Sequence, residues 1–308
     1  MKIGIFGGSF DPVHNGHVNV ARRAIEELSL DRLLVVPAAT SPFKQGEGGV
    51  EAPYEFNAAQ RLMLVRAAFN GLEKIEVDDR ELARGGVSYA IDTVRAVAAE
   101  NPGAELFFII GEDSLAGLER WREYDALKEL CTFKAYPRTP ESSTLVRERL
   151  AAGEDISGLV PEAVALFIKH GVRESDDKRI VAAVRAGLVR KGGYCPCRLP
   201  KAPEFFCPCD EFRSQLADPQ FHGLCHCRLY QKPSKTCAPS GAPVSKRLQI
   251  RVGREFARKR RLWAVSGNDF RLWRQRCEER KRTAHGDHAS TRQIGAADGT
   301  GKKRIARD

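Results

Sequence analysis

The segment from Lys2 to His17 constrains the fold of this chain more than any other. Residues 2–6 (KIGIF) form a short apolar run rich in β-favouring side chains, which predicts a buried strand. Gly7 and Gly8 follow, where the backbone can approach a ligand without a Cβ in the way. Beyond His17, apolar residues recur at helical spacing at Val18, Ala21, Ile25 and Leu28. A strand, a glycine turn and a helix start in this order predict an anion site, because free N–H groups and the positive end of the helix dipole meet there.

Two histidines stand at the predicted helix start. His14 and His17 lie three residues apart across Gly16, a spacing that lets both side chains donate to one phosphate as charge moves onto it. Paired histidines near a turn also occur as metal ligands or as surface residues. The string GGSFDPVHNGH favours the phosphate interpretation, and it resembles the H-x-G-H signature of the nucleotidyltransferase superfamily with its preceding G-x-F-D-P segment.

Residues 1–173 alternate strand-like and helix-like runs. Further strands are predicted at 33–36, 74–77, 105–110 and 131–136, and further helices at 60–69 and 88–100. The run at 105–110 (ELFFII) is almost continuously apolar, as is typical of a parallel strand covered on both faces. The alternation predicts an α/β fold with a doubly wound, Rossmann-like parallel sheet that binds its ligands at the carboxyl ends of the strands.

Four further features fall where such a sheet binds ligands, and each also has a plainer explanation. Lys44 follows a strand and can place a charge on phosphate, although most lysines are simply solvated. Gly111 and Asp113 follow the most apolar strand and can approach a hydroxyl-bearing group, or cap a helix. Trp121 can stack on an aromatic ring or pack at a helix edge. The run SSTLVR at 142–147 predicts a capped helix start that carries a positive charge. Such a helix start is either a second phosphate site or a capped helix without a ligand.

Together these pieces resemble a bacterial nicotinate-nucleotide adenylyltransferase. The matching strings, spread over residues 1–173, are GGSFDPVHNGH, SPFK, GGVSYAIDT, FFIIGEDSL with ERW, YPR, SSTLVR and LVPEAVALFIKHG. The resemblance implies transfer of AMP from ATP to nicotinate mononucleotide, giving deamido-NAD and pyrophosphate, with Mg²⁺. It leaves open whether the substrate ring is nicotinate or nicotinamide.

The resemblance also implies roles for individual residues. The catalytic residues, which hold the triphosphate, would be His14, His17, Lys44 and Arg147. The other residues around ATP would be Gly7, Gly8, Ser9, Phe10, Gly16, Gly111, Asp113, Ser142, Ser143 and Thr144. Those on the nicotinate side would be Ser88, Tyr89 and Trp121.

Two departures from the family pattern keep other functions open. Pro140 is followed almost at once by Ser142, where the family usually places a longer segment that includes another strand, and Ala90 stands where a hydroxyl residue is common. One alternative is therefore a redox protein whose N-terminal part is an inactive scaffold. Another is a different nucleotidyltransferase, such as phosphopantetheine adenylyltransferase, although that family usually has threonine at the position of His14.

Six of the nine cysteines lie between Cys195 and Cys227, in three C-x-C pairs. The chain has no secretion signal at its start, so such clustering favours metal or redox chemistry over structural disulfides. Six thiols exceed one tetrahedral zinc site, whereas four ligands plus one dithiol fit the count. Before them, residues 175–177 (SDD) predict the cap of a helix that ends at Gly192 and Gly193.

Residues 176–232 resemble the catalytic subunit of ferredoxin–thioredoxin reductase, through GGYCPCR, CPCDEFR and GLCHCRLY. The resemblance implies a small α-rich domain with a [4Fe–4S] cluster on Cys195, Cys207, Cys209 and Cys225. It further implies a redox-active disulfide between Cys197 and Cys227, His226 as a proton donor, and a ferredoxin- or thioredoxin-like partner. A zinc-binding module is the alternative.

Charge is concentrated in the C-terminal tail. Residues 238–308 hold 19 Lys and Arg against 7 Asp and Glu, whereas residues 1–237 hold 31 against 33. Nucleic acid is therefore not expected as a partner except through the tail, where Trp263 and Trp273 would suit base stacking. A basic extension without order is the favoured interpretation, ahead of a nucleic-acid-binding arm or unselected sequence.

Three regions follow, namely an adenylyltransferase domain at 1–173, a cysteine domain at 174–235 and a basic tail at 236–308. No window has the ~20 apolar residues of a membrane span, and the chain is expected to be cytoplasmic.

Overall fold

A five-stranded parallel sheet forms the centre of this protein in the computed structural model, which describes residues 1–42 and 54–234. Lys44 and the tail with Trp263 and Trp273 lie outside the described residues, and so do the predictions made for them. All described residues belong to one compact unit, Met1–Gln249. None of the helices described in it is long and apolar enough to span a bilayer.

Strands and helices alternate through the first 170 residues, as predicted. They are β1 (Lys2–Gly8), α1 (Asn15–Leu28), β2 (Arg32–Pro37), α2 (Ala58–Ala68), β3 (Ile75–Val77), α3 (Arg80–Arg84), α4 (Ala90–Glu100), β4 (Glu105–Gly111), a 3-10 segment (Glu112–Arg120), α5 (Tyr124–Leu130), β5 (Thr132–Tyr136), α6 (Ser143–Ala152) and α7 (Glu162–His170). Every predicted strand of this part is present, and each of the predicted helices begins within two or three residues of its expected start.

The strand order in the sheet is β3-β2-β1-β4-β5, with all neighbours parallel. Ile5 of β1 pairs with Leu34 of β2 on one side and with Phe108 of β4 on the other. The chain therefore runs outward in one direction from β1 and then in the other, which is the topological switch point where such sheets open a crevice. The prediction of a doubly wound parallel sheet is confirmed.

Both faces of the sheet are covered, which explains the continuous apolar runs of its strands. On one face, Ile3 and Ile5 pack with Val94 of α4 in one buried cluster. On the other face, Phe6 and Leu33 belong to a second, larger cluster. The short link between β5 and α6 contributes no strand, so the sheet of the described residues ends at β5.

The cysteine-bearing part contains two helices and a second, very small sheet. Its elements are β6 (Arg173–Glu174), α8 (Lys178–Arg190), a 3-10 turn (Pro203–Phe205), α9 (Asp210–Ala217), β7 (Gly223–Leu224) and β8 (Tyr230–Lys232), and the sheet order β6-β8-β7 is antiparallel. The predicted cap is confirmed, because the Asp177 carboxylate accepts hydrogen bonds from the backbone N–H groups of Arg179 and Ile180. Strands of two or three residues carry no periodicity, so the sequence did not reveal this sheet.

The cysteine-bearing part packs directly on the part that contains the five-stranded sheet. The rings of Phe167 in α7 and Tyr230 in β8 meet at 4.5 Å and belong to one buried cluster. Asn70, just after α2, donates from its side-chain amide to the backbone carbonyls of Gly193 (3.0 Å) and Cys207 (3.1 Å). The predicted division near residue 173 thus falls within a continuous hydrophobic core, and a boundary there stays a prediction.

A chain of charges crosses the same interface. Arg185 of α8 binds the Glu174 carboxylate of β6 with two side-chain hydrogen bonds. Glu174 lies 3.8 Å from an Arg66 nitrogen on α2, and Arg66 in turn binds Asp79 at 2.9 Å. All but Asp79 of these side chains are largely buried, so their charges stabilise one another with little screening by water.

We predict that Asn70→Ala loosens this interface. The substitution removes an amide donor from two backbone carbonyls, of which that of Gly193 keeps the Cys207 N–H, and this loss costs about 1–3 kcal/mol. Thiol labelling of Cys207, which is buried, should become faster, and the free energy of unfolding should fall. The matched control is Asn101→Ala, which removes an amide that donates only to Val97 of its own helix, at 2.8 Å. Equal labelling rates in the two variants would contradict the role given to Asn70.

Candidate active site

Two adjoining cavities open at the carboxyl ends of β1 and β4, where the strand order reverses. One, of about 490 Å³, contains the two histidines and is named the histidine cavity. The other, of about 480 Å³, contains Trp121 and is named the tryptophan cavity. The wall that they share consists of Phe6, Gly7, Ser9, Ile110, Gly111 and Ser114. Because the same residues line both cavities, a ligand that contacts this wall can extend from one cavity into the other.

Most residues predicted at the triphosphate and at ATP line the histidine cavity. They are Gly7, Ser9, His14, Gly16, His17, Gly111, Asp113, Ser142, Ser143, Thr144 and Arg147. Gly8 lines the tryptophan cavity instead. Phe10 lines neither, because it is buried and its ring packs against His17 at 4.8 Å. Lys44 lies outside the described residues, and all of these roles remain predictions.

The two histidines form a close pair at the start of α1. Their ring centroids are 3.7 Å apart, and the backbone N–H of His14 donates to Nδ1 of His17 at 3.1 Å. This hydrogen bond requires an unprotonated Nδ1, so neutral His17 carries its proton on Nε2. Nε2 is then a donor for a phosphate oxygen. Nδ1 of His14 is buried and has no hydrogen-bond partner in the described part of the chain.

Burial keeps both histidines neutral. Desolvation lowers the pKa of His14 to about 4, although the nearby Glu141 carboxylate acts in the opposite direction. Desolvation also lowers the pKa of His17 well below its usual value, and the charge of His14 would lower it further. The pair therefore offers hydrogen-bond donors and acceptors at neutral pH without a permanent positive charge.

Gly16 lets the helix start come close to the loop after β5. A Cβ at this position would lie 2.1 Å from Oγ1 of Thr139 and about 3.0 Å from the His14 ring. No side chain fits there, which explains the glycine between the two histidines.

The N-terminus of α6 faces the same cavity and is tied to the loop before α1. The Ser142 hydroxyl accepts a hydrogen bond from the N–H of Leu145 at 3.1 Å and so caps the helix. Ser143 donates to the carbonyl of Pro12 at 2.8 Å, and Arg147 donates to the carbonyl of Asp11 at 2.6 Å. The short link before Ser142 thus still brings Arg147 to the cavity, and two helix N-termini face one space.

Ser88, Tyr89 and Trp121, which were predicted on the nicotinate side, all line the tryptophan cavity. Trp121 contacts the ring of Phe108 edge-on at 5.6 Å. The Ser88 hydroxyl accepts from the N–H of Ala39 at 2.9 Å, which ties the start of α4 to the end of β2. The cavity thus combines an aromatic wall with hydroxyl groups, as a flat heteroaromatic ring requires.

Glu81 is a polar residue of the tryptophan cavity that the sequence analysis did not identify. Thr93 donates to its carboxyl at 2.5 Å, and the carboxyl is buried. Burial raises the pKa of Glu81, and the hydrogen bonds from Thr93 and Ser88 oppose that effect. No sequence signal marked it, because a glutamate in a charged helix is normally solvated.

Two residues missed by the sequence analysis hold the loops of the site in place. The buried Arg61 of α2 donates to the carbonyls of Ser9 (2.8 Å), Ala38 (2.7 Å) and Ala39 (3.0 Å). The buried Asp11 carboxylate accepts from the N–H groups of Glu55 and Phe56 at 3.2 and 3.0 Å. Asp11 could have been identified from its place in the string GGSFDPVHNGH, whereas no sequence pattern marks Arg61.

The six paired cysteines come together in one cluster beside α8 and β8. Five are buried, and Cys197 is exposed. The sulfur atoms of Cys225 and Cys227 are 3.5 Å apart, and Cys195 hydrogen-bonds with both Cys227 and Cys197. His226 is exposed. The predicted disulfide partners Cys197 and Cys227 thus share Cys195 as a neighbour.

The thiols of the cluster interact electrostatically. Hydrogen bonds from Cys227 lower the pKa values of Cys195 and Cys225, and the same bonds raise the pKa of Cys227. Burial raises the pKa of Cys207, and Arg185 opposes that effect. Within residues 1–42 and 54–234, no three His, Cys, Asp or Glu side chains converge on a position for a single metal ion. The assignment of four cysteines to a cluster stays a prediction.

Comparison with known proteins identifies the class to which this sheet and its site belong. Residues 5–170 match the family model described as cytidylyltransferase-like, which covers more than half of the chain. The chain belongs to this family of nucleotidyltransferases.

Similar curated proteins indicate which group of nucleotidyltransferases the N-terminal part resembles. A "probable nicotinate-nucleotide adenylyltransferase" of Gemmatimonas aurantiaca is 38% identical over 196 residues, which cover 54% of this chain and 90% of the relative. One from Geobacillus kaustophilus is 36% identical over 209 residues, covering 61% and 94%. The solved Plasmodium falciparum nicotinic acid mononucleotide adenylyltransferase complexed with NaAD is 17% identical, with a TM-score of 0.43 over 55% of this chain and 96% of that one. The N-terminal part of the chain belongs with the nicotinate-nucleotide adenylyltransferases.

We predict that burial of His14 makes the protein sensitive to acid. The unfolded chain binds a proton at His14 near pH 6.5, but the native chain does not until about pH 4. The unfolded state therefore binds more protons in this window, and stability falls as pH decreases from about 6.5 to about 4. Between pH 7 and 5, His14 should account for a loss of about 2 kcal/mol in the free energy of unfolding.

Urea unfolding of the wild type, His14→Asn and His222→Asn at pH 7 and pH 5 measures this effect. The His14 variant should lose less stability on acidification, whereas the variant of the exposed His222 should follow the wild type. An unchanged acid dependence in His14→Asn would show that His14 is not held neutral.

Proposed function

We propose that this protein transfers AMP from ATP to nicotinate mononucleotide, giving deamido-NAD and pyrophosphate in NAD biosynthesis in the cytoplasm. The observation that carries the proposal is the pair of adjoining cavities, one built for phosphates and one for an aromatic ring, in a chain whose relatives bear this activity in their names. The phosphates of ATP occupy the histidine cavity, and the nicotinate ring occupies the tryptophan cavity.

The reaction needs alignment and charge stabilisation. A phosphate oxygen of nicotinate mononucleotide attacks the α-phosphorus of ATP, and the bond from that phosphorus to the bridging oxygen of pyrophosphate breaks on the opposite side. No covalent bond to the protein is required, because the substrate oxygen attacks the α-phosphorus directly. Because Gly7 and Gly111 line both cavities, we expect the two phosphates to meet beside them.

The protein stabilises charge with donors that are already in place. Nε2 of His17 donates to an α-phosphate oxygen as negative charge develops there, since Nδ1 is occupied by the His14 N–H. The N-termini of α1 and α6 add backbone N–H groups and the positive ends of their dipoles, and Arg147 adds a fixed charge. Arg147 is held at this point by its hydrogen bond to Asp11.

Mg²⁺ would enter with ATP as part of the substrate. It keeps several water ligands and binds phosphate oxygens more than protein cages. The described carboxylates that line the histidine cavity are those of Asp11, Asp113 and Glu141, and Asp113 lies 3.3 Å from an Arg138 nitrogen. No step of the proposed reaction is assigned to the ion.

We predict that His17→Ala lowers kcat by about 100-fold or more, because one donor to the transition state is lost. The free energy of unfolding should fall by only about 1 kcal/mol, since the substitution removes one hydrogen bond, from the His14 N–H to Nδ1. The assay is pyrophosphate release by the full chain with ATP and nicotinate mononucleotide, and His222→Ala, at an exposed position, is the control. Wild-type turnover in His17→Ala would remove the histidine from the mechanism.

The same assay separates the alternatives. Release with phosphopantetheine but not with nicotinate mononucleotide would reassign the enzyme. No release with either from folded protein would make the sheet a scaffold and would move the function to the cysteine cluster.

We further propose that the cysteine cluster binds a [4Fe–4S] cluster and reduces the disulfide of a thioredoxin-like protein. The supporting observation is that Cys195, Cys207, Cys209 and Cys225 are all buried and interact electrostatically with one another. Such a donor set fits, because each thiolate of a cubane binds its own iron and the four need not converge on one ion. When bound, the cluster supplies electrons one at a time.

The other side chains of the cluster would carry the disulfide chemistry. Two electrons from a ferredoxin-like protein and two protons convert a Cys197–Cys227 disulfide into two thiols. The exposed Cys197 then attacks the partner's disulfide, and Cys227 completes the exchange, so the partner leaves as a dithiol. The exposed His226, next to Cys227, would move the protons.

We predict that full-length protein reconstituted without oxygen binds four iron and four sulfide per chain, as the cluster formula requires. Cys207→Ser should lose most of this iron. Cys131→Ser should keep it, because Cys131 is a buried cysteine at the edge of the large sheet, away from the paired cysteines. Stoichiometric zinc without iron, or full iron in Cys207→Ser, would contradict the assignment.

A further inference from the structure

The tryptophan cavity carries more positive than negative charge at its rim. Arg120 and Arg122 flank Trp121, and both line the cavity. Its carboxyl group, Glu81, lies buried, with hydrogen bonds from Thr93 and Ser88, and burial raises its pKa. A ring that enters the cavity therefore meets guanidinium groups at the rim and a carboxyl group whose charged form is disfavoured.

Arg122 lies against the aromatic wall. Its guanidinium carbon is 4.7 Å from the centre of the Tyr89 ring, a stacked arrangement that holds the planar group beside the cavity. Trp121, the next residue along the chain, contacts Phe108 on the other side. The Arg122 guanidinium therefore lies beside the space in which a substrate ring would bind.

The carboxylate nearest to Arg122 among the described residues forms a long ion pair with it and no hydrogen bond. This carboxylate belongs to Glu123 and lies at 3.7 Å, which is too far for a hydrogen bond. The Glu123 carboxylate is instead bound by Arg95 at 2.6 Å. Arg122 is about half exposed, so its N–H groups can turn toward a ligand at little cost.

Two candidate ring substrates differ in the charge that they present to this guanidinium. The ring nitrogen of either mononucleotide is bonded to ribose, so the ring is a cationic pyridinium. The nicotinate ring adds a carboxylate and is neutral overall, whereas the nicotinamide ring keeps its positive charge. A guanidinium binds the carboxylate with two parallel hydrogen bonds and repels the cationic ring that lacks it.

We propose that Arg122 binds the carboxylate of the nicotinate ring and sets the preference for nicotinate over nicotinamide mononucleotide. This inference rests on the proposed function, because it assigns a partner to the substrate ring of that same site. Tyr89 holds the guanidinium by stacking, and Arg122 shares the Glu123 carboxylate with Arg95, which binds it more closely.

The test is steady-state pyrophosphate release by the full chain, with saturating ATP and either mononucleotide. The measured quantity is the ratio of kcat/KM for nicotinate mononucleotide to kcat/KM for nicotinamide mononucleotide. Arg122→Gln should lower this ratio about tenfold, mainly through a higher KM for the nicotinate form. Arg122→Lys should recover part of the ratio, because it keeps the charge but loses the planar fork.

The matched control is Arg32→Gln, which removes a partly exposed guanidinium at the start of β2 that binds Glu76 and lines neither cavity. Its ratio should equal that of the wild type. An unchanged ratio in Arg122→Gln, with an active wild type, would overturn the inference and leave the proposed function intact. A reduced ratio in Arg120→Gln but not in Arg122→Gln would also overturn it. A wild type that is silent with both nucleotides would overturn the proposed function and this inference together.

Discussion

The reversal of strand order at β1 is the constraint on which the rest of this structure depends. Because β2 lies on one side of β1 and β4 on the other, the loops that leave β1 and β4 diverge and open a crevice between them. The motif from Gly7 to His17 occupies this crevice, and the glycine positions bring the backbone close to the ligand space. Arg61 and Asp11 then hold the neighbouring loops by backbone hydrogen bonds, so the cavity walls are fixed before any ligand binds.

Burial of polar groups gives the site its chemical character. His14 and His17 are neutral because desolvation opposes their charged forms, so they act as oriented donors rather than as cations. Positive charge is supplied separately, by Arg147 and by two helix N-termini that face the same cavity. In the tryptophan cavity, aromatic walls and hydroxyl groups line the space, and Arg120 and Arg122 stand at its rim.

The sequence predicted the sheet and much of the site because these features depend on local patterns. The apolar runs marked the strands, and the string around His14 marked the helix start and its anion site. Arg61 and Glu81 could not be predicted, since their burial arises from contacts with residues far away in the chain. The packing of Asn70 on Gly193 and Cys207 could not be predicted for the same reason, nor could the core that residues on both sides of position 173 share.

The proposed reaction requires that the histidine cavity hold the triphosphate between the starts of α1 and α6. A crystal structure of the full chain with a methylene-bridged ATP analogue, which cannot be cleaved between its α- and β-phosphates, tests this requirement. An α-phosphate oxygen should lie within hydrogen-bond distance of Nε2 of His17, with the remaining phosphates beside Arg147 and the N-terminus of α6. Phosphates bound elsewhere, with His17 and Arg147 both out of contact, would contradict it.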